Sequence, residues 1–161
     1  MGDEEGSLEK RVGEILRVKK LGIAVAESCT GGLISHRITN IAGSSDYFDR
    51  GVIVYSNISK TQLLSVPKLI IESFGAVSSE TAKAMAEGIK NISKSDIGLA
   101  VTGIAGPGGG TTNKPVGLVY IGLASNKPTI IKEFNFQGSR IEIKEQASEE
   151  ALKMVLGFLS L

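Results

Sequence analysis

Residues 27–32, Glu-Ser-Cys-Thr-Gly-Gly, place a hydroxyl and a thiol just before two glycines and a helical pattern. A serine at a helix N-terminus suits attack on a carbonyl carbon, because the unpaired backbone N–H groups and the helix dipole there stabilise a developing oxyanion. Ser28 is therefore the candidate nucleophile. The alternative is that Ser28 or Thr30 only caps the helix and that Cys29 is a small core residue.

A serine hydroxyl is a weak nucleophile and needs a base to accept its proton. His36 is the only histidine, and it lies well inside the helical pattern that follows Ser28, which disfavours a Ser-His-Asp triad. Lysine is the remaining common base, and Lys60 closely follows residues 55–57, Tyr-Ser-Asn, at the predicted end of a strand. On spacing alone, a solvated surface charge is the commoner role for a lysine.

Two further segments are suited to binding an anion. Residues 103–110, Gly-Ile-Ala-Gly-Pro-Gly-Gly-Gly, match neither the P-loop nor the dinucleotide-binding spacing, but their backbone N–H groups could cradle a phosphate or a carboxamide. Arg140 combines a guanidinium with the start of the last predicted helix, which suits a phosphate. The alternatives are a flexible surface loop and a solvated arginine.

Strands and helices alternate around these segments. Apolar runs predict strands at residues 22–26, 51–55, 97–102, 117–125 and 130–136, the last two forming an antiparallel hairpin. Helical spacing predicts helices at residues 7–20 (ended by Gly22), 33–41, from Ser56 toward residue 64, at Pro67, from Ser78 or Ser79, and from Ser139 to the end of the chain.

This alternation predicts an α/β fold, a three-layer α/β/α sandwich with a mixed, partly parallel sheet. In open α/β sheets, ligands bind beyond the carboxyl ends of the strands. The four candidate segments begin at residues 28, 56, 103 and 138, and each follows a predicted strand. We therefore expect them to converge on one cleft.

Composition limits the other possibilities. The 161 residues suit one domain, and 18 Lys plus Arg against 17 Asp plus Glu give a net charge of +1, so we expect no nucleic-acid partner. No apolar run reaches the roughly 20 residues that span a bilayer, and the acidic start lacks the basic segment of a signal peptide. With Cys29 as the only cysteine, we expect a cytoplasmic protein, no membrane contact and no metal site.

The chain also carries a set of short motifs in order. They are residues 26–32, 43–45 (Gly-Ser-Ser), 51–60, 75–78 (Gly-Ala-Val-Ser), 102–107 (Thr-Gly-Ile-Ala-Gly-Pro), 114–117 (Lys-Pro-Val-Gly) and 138–140. From Leu21 onward the sequence resembles the CinA C-terminal domain family. The resemblance implies an α/β/α sandwich and a single domain over residues 1–161. Members of that family include nicotinamide-nucleotide amidase, which hydrolyses nicotinamide mononucleotide to nicotinate mononucleotide and ammonia.

The resemblance also implies roles for individual residues. Ser28 matches the family's nucleophile and Lys60 its partner, without a metal or organic cofactor. The predicted substrate-binding residues are Tyr55, Thr30, Gly31, Gly32, Thr102, Gly103, Gly106 and Arg140. In the implied mechanism a neutral Lys60 takes the serine proton and N–H groups near Gly31 and Gly32 hold the oxyanion. Burial or a neighbouring cation such as Arg140 must then lower the pKa of Lys60.

The sequence departs from the family at one position, since Ser139 stands where an aspartate often precedes the arginine. A serine still caps the helix, but a charge pair is lost. Longer members carry an additional N-terminal domain, so we expect this chain to act alone or with a separate partner. Two alternatives stay open: a catalytically silent nucleotide-binding or regulatory module, and an interaction subunit. The sequence also leaves open a homo-oligomer.

Overall fold

The computed structural model describes residues 6–161, so the acidic start at residues 1–5, used above against a signal peptide, lies outside the described residues. The helices are α1 (Leu8–Lys19), α2 (Leu33–Thr39), α3 (Asn57–Leu64), α4 (Lys68–Phe74), α5 (Ser79–Ser93) and α6 (Arg140–Leu159). The strands are β1 (Ile23–Glu27), β2 (Phe48–Ile53), β3 (Ile97–Gly103), β4 (Leu118–Ala124) and β5 (Ile130–Asn135). A short 3-10 helix covers Ser44–Asp46.

The five strands form one mixed sheet in the order β2-β1-β3-β4-β5. β1 pairs in parallel with β2 and β3, whereas β4 is antiparallel to both β3 and β5. Two successive antiparallel pairings make β5 parallel to β3, so β1, β2, β3 and β5 all have their carboxyl ends at the same edge. Helices cover both faces, which confirms the predicted three-layer α/β/α sandwich with a mixed sheet.

The two faces of the sheet carry side chains of different size. On one face, large residues such as Ile23, Val25 and Leu99 pack with α1, α2 and α6 in one core cluster. On the other face, small residues such as Ala24 and Ala100 pack with α3, α4 and α5. Strand residues alternate between faces, so the alternation of large and small residues along β1 places each size on its own side.

Helix α5 lies very close to the small-residue face. A Cβ built on Gly98 of β3 would lie 2.3 Å from the carbonyl oxygen of Ala86 in α5, and one on Gly122 of β4 would lie 2.9 Å from the carbonyl oxygen of Ala82. Both distances are shorter than a non-bonded carbon–oxygen contact permits. Glycine at these two positions therefore sets how closely the helix approaches the sheet.

Two boundaries differ from the sequence prediction. Helix α1 ends at Lys19, and Lys20 takes the left-handed conformation with φ 56°, so the prediction that Gly22 ends it is wrong. The N–H of Leu21 already closes the helix on the carbonyl of Leu16, and the Gly22 N–H instead donates to Asp96.

Strand β2 spans Phe48–Ile53 and not residues 51–55. The strand lies at the edge of the sheet, where Asp49 and Arg50 are exposed. Because these residues are polar, the first half of β2 has no apolar run from which the strand could be predicted. Tyr55 consequently follows the strand and lies in the connection to α3.

Other boundaries agree with the sequence. Ser56, Ser78 and Ser139 are the N-caps of α3, α5 and α6, and Ser139 forms a capping box with Glu142. Within residues 6–161, no helix combines the length and apolar character needed to cross a membrane.

The close approach of α5 leads to a stability prediction. We expect Gly98→Ala to lower the free energy of unfolding by about 1–3 kcal/mol, because the added methyl group must push α5 away from β3. Gly157→Ala is the matched control, since Gly157 is exposed in α6 with nothing within 4 Å of the added Cβ, and we expect a gain of about 0.5–1 kcal/mol. Urea unfolding of the variants measures both, and equal stability of Gly98→Ala and wild type would contradict the close packing.

Candidate active site

Ser28 and Lys60 lie together at the carboxyl edge of the sheet. Ser28 directly follows β1, and its N–H donates to the carbonyl of Val101 in β3 at 3.0 Å. Lys60 lies in α3, whose start is fixed by the hydroxyl of Ser56, and its side chain turns inward and is 1% exposed. The Lys60 Nζ lies 3.1 Å from the Ser28 Oγ, within hydrogen-bonding distance.

The Lys60 amine has two further partners, both of them acceptors. It donates to the backbone carbonyl of Val54 at 2.9 Å and to that of Tyr55 at 3.2 Å. A neutral amine has two N–H donors and one lone pair. In the neutral form, the two carbonyl oxygens, which can only accept, would bind the two N–H groups, and the lone pair would be left for the Ser28 hydroxyl.

Burial lowers the pKa of Lys60, because an ammonium group loses its hydration in the protein interior. The sequence left burial and a neighbouring cation as alternatives, and burial is the cause. The guanidinium of Arg140 binds elsewhere. The shift favours the neutral amine, which is the form that can accept a proton.

Cys29 follows Ser28 and is also buried. Burial raises the pKa of its thiol to about 12, so the thiol stays protonated at neutral pH. Only the thiolate is strongly nucleophilic, which makes this thiol unreactive in the structure as it stands.

Glu27 organises the turn that carries Ser28. Its buried carboxylate accepts from the Thr30 hydroxyl (2.7 Å), the Ile34 N–H (2.9 Å), and the N–H (2.9 Å) and hydroxyl (2.7 Å) of Ser35. The N-cap of α2 is Gly32, which has no side chain to cap the helix, so Glu27 takes over that function. Neither Ser28 nor Thr30 is the helix cap, the alternative that the sequence left open.

A cavity of about 200 Å³ opens at this pair. All four strand-end segments predicted to converge contribute to its lining, which consists of Ser28, Cys29, Tyr55, Lys60, Ala76, Val77, Thr102, Gly103, Ala105 and Arg140. The structure thus brings Ser28, Lys60, Tyr55, Thr102, Gly103 and Arg140 together.

Arg140 bridges two walls of the cavity. Its guanidinium donates to the Tyr55 hydroxyl at 2.9 Å and to the carbonyl of Gly106 at 2.6 Å. Thr102 links β3 to the α4–α5 connection, because its buried hydroxyl donates to the carbonyl of Ala76 at 2.8 Å. Tyr55 is 62% exposed, so it forms part of the rim.

The structure does not bring the remaining predicted contacts into this cavity. The Thr30 hydroxyl is bound to Glu27, and the Gly31 N–H donates to the carbonyl of Ser28 at 3.1 Å, so neither group is free to bind a substrate. Gly32 lies beside Ile53, and Gly106 contributes its carbonyl to Arg140. Of the N–H groups near Gly31 and Gly32 that were predicted to hold the oxyanion, that of Gly31 is thus already bound within the turn.

Sequence reasoning missed Glu27 and the Ala76–Val77 wall. A carboxylate that ends a buried strand and precedes two glycines is a detectable signal for a buried cap, since such a residue needs several donors. No comparable signal marked Ala76 and Val77 on chemical grounds. His36 is exposed on α2, and no group of three or more His, Cys, Asp or Glu side chains in residues 6–161 lies together as metal ligands.

Fold and site together define an α/β/α protein with a buried serine–lysine pair in a cleft at the carboxyl edge of its sheet. A family model described as the CinA C-terminal domain matches residues 5–159. The chain belongs to the CinA C-terminal domain family.

Relatives and solved structures agree with this membership. A CinA-like protein of Koribacter versatilis is 53% identical over 149 residues, and one of Syntrophus aciditrophicus is 48% identical over 158 residues. These matches cover 92% and 98% of this chain but only 36% and 38% of the relatives. The chain thus spans well under half the length of these relatives.

The crystal structure of the competence/damage inducible protein CihA from Agrobacterium tumefaciens aligns with a TM-score of 0.93 at 40% identity, covering 96% of this chain and 94% of that one. A competence or damage-inducible protein from Enterobacter asburiae aligns with a TM-score of 0.91 at 32% identity, covering 94% and 96%.

The role of Glu27 leads to a second stability prediction. We expect Glu27→Gln to lower the free energy of unfolding by about 1–3 kcal/mol, because an amide nitrogen cannot accept from the N–H groups at the start of α2. Ser35→Ala, which removes one of the hydroxyl contacts and keeps the N–H contacts, is the control and should cost less. Chemical denaturation compares the variants, and a Glu27→Gln protein as stable as wild type would refute the capping role.

Proposed function

We propose that the protein is a nicotinamide-nucleotide amidase that hydrolyses the carboxamide of nicotinamide mononucleotide to nicotinate mononucleotide and ammonia. One observation carries the proposal: the buried amine of Lys60, held by two carbonyls, faces the hydroxyl of Ser28. Membership of the CinA family supports it, because the family includes this activity. Ser28 is the proposed nucleophile and Lys60 the proposed base.

In the first half of the reaction, the neutral Lys60 amine takes the proton of Ser28 while Oγ attacks the carboxamide carbon. The negative charge moves to the carboxamide oxygen. The amide of Cys29 is the proposed donor to this oxyanion, since it directly follows Ser28. The Lys60 ammonium then protonates the leaving nitrogen, and the C–N bond breaks to release ammonia.

In the second half, water resolves the ester formed on Ser28. Lys60, neutral again, takes a proton from the water, whose oxygen attacks the ester carbon. The C–O bond to Ser28 breaks, the Lys60 proton returns to Oγ, and the product leaves as a carboxylic acid that gives its remaining proton to water and becomes the carboxylate. Serine and lysine supply the nucleophile and the base, so the proposed mechanism requires no step at a metal or an organic cofactor.

The size of the cavity fits part of the substrate. Sites that enclose a whole ligand of this size measure about 300–1,000 Å³, whereas this cavity measures about 200 Å³. A pyridine ring with its carboxamide is the part that can enter, since the reacting carbon must reach Ser28. The ribose and the phosphate then lie outside, near Tyr55 and Arg140 at the rim.

The first test is ammonia release from nicotinamide mononucleotide. We expect wild-type protein to release ammonia, Ser28→Ala to release none above background, and Cys29→Ala to keep most of the rate, because the buried thiol is protonated. A coupled ammonia assay measures all three. An inactive Cys29→Ala with an active Ser28→Ala would reverse the roles, and a melting shift with nucleotide but without ammonia would favour a binding module.

The second test concerns the protonation of Lys60. Only the neutral amine accepts a proton, so we expect the wild-type turnover number to rise with pH through a pKa below the ordinary lysine value of about 10.4. Lys60→Ala should lose about 10²–10⁴-fold in turnover. Lys60→Arg should be nearly as poor, because a guanidinium stays protonated. Near-normal turnover of Lys60→Arg with an unchanged pH profile would show that Lys60 is not the base.

A further inference from the structure

Lys144 places a second cation beside the turn that carries Ser28. It lies in α6 four residues after Arg140, so both side chains project from the same face of the helix. The Lys144 ammonium lies next to Gly31, where a built Cβ would be 3.6 Å from Nζ. Because Gly31 is exposed and has no side chain, it leaves the ammonium open to solvent on that side.

Lys144 has no protein partner for its charge. Other cations near the site are bound: Lys60 to two carbonyls, and Arg140 to Gly106 and Tyr55. Across residues 6–161, by contrast, the Lys144 ammonium makes neither an ion pair nor a hydrogen bond, although the residue is half-buried. An ammonium group without a protein anion is available to pair with an anionic ligand.

The charge of Lys144 also acts inside the site. Burial raises the pKa of the Cys29 thiol, and the charge of Lys144 opposes that rise. Its position beside Gly31 agrees with this effect and places the charge of Lys144 next to the turn that carries Ser28 and Cys29. The cavity admits only the pyridine ring, so the phosphate of the substrate must bind outside it.

We propose that Lys144 binds the phosphate monoester of the substrate beside Gly31 and so selects nucleotides over nucleosides. This inference rests on the proposed amidase function. Arg140 donates to Gly106 and Tyr55 across the rim, and Lys144 adds a second positive charge that has no partner among residues 6–161. Its role is specificity in binding and not proton transfer.

Steady-state kinetics with nicotinamide mononucleotide and the corresponding nucleoside test the proposal. We expect Lys144→Met to raise KM for the nucleotide about tenfold, with little change in kcat, and to leave kcat/KM for the nucleoside unchanged. Lys144→Arg should restore most of the affinity. Lys153→Met is the control, because Lys153 projects from the opposite side of α6 and forms an exposed ion pair with Glu150.

An unchanged KM for the nucleotide, or an equal loss with both substrates, would overturn the proposal. Calorimetric titration with ribose 5-phosphate tests the phosphate site separately from the amidase function. This probe has a phosphate but no amide, so its binding does not depend on hydrolysis. If wild-type protein releases no ammonia, the amidase function fails on its own. Weaker binding of ribose 5-phosphate by Lys144→Met would still support the phosphate site, and equal binding by both proteins would overturn it.

Discussion

The site depends on one constraint. Within residues 6–161, the buried amine of Lys60 has no carboxylate partner. A carboxylate beside Lys60 would stabilise the ammonium form and prevent it from accepting a proton. The carboxylate of Glu27 immediately precedes Ser28 in the chain, but its oxygens are occupied by Thr30, Ser35 and the start of α2. The Glu27 carboxylate therefore fixes the position of Ser28 without forming an ion pair with Lys60, the proposed base.

The sheet supplies the geometry that this arrangement needs. β1, β2 and β3 are adjacent and parallel, so Ser28 after β1, the carbonyls of Val54 and Tyr55 after β2, and Thr102 at the end of β3 meet at one edge. The small residues on one face let α5 approach the sheet closely. Thr102 then ties the segment before α5 to β3 through Ala76, which closes the cavity on that side. The close packing of α5 on the sheet therefore also determines the shape of the cavity on this side.

Much of this could be predicted from the sequence, because fold class and strand-end positions follow from local patterns. Alternating strands and helices predicted the sandwich, and the strand ends and the segments after them contain the residues that line the cavity, except Ala76 and Val77. Hydrogen-bond partners could not be predicted, since they depend on tertiary geometry: the Thr30 hydroxyl turns to Glu27, and the Gly31 N–H closes the turn on Ser28. The bounds of the edge strand β2 were predicted wrongly for a related reason. Its exposed residues Asp49 and Arg50 interrupt the apolar pattern from which strands are predicted.

The protonation state of Lys60 is the central claim, and NMR titration of its side-chain nitrogen measures it directly. The wild-type protein, labelled with ¹⁵N-lysine, would be titrated, with the Lys60 signal assigned by its loss in Lys60→Arg. The account predicts a pKa for Lys60 below the value of about 10.4 for an ordinary lysine. A pKa at or above that value would mean that the buried group is an ammonium at working pH, and would contradict its assignment as the base that activates Ser28.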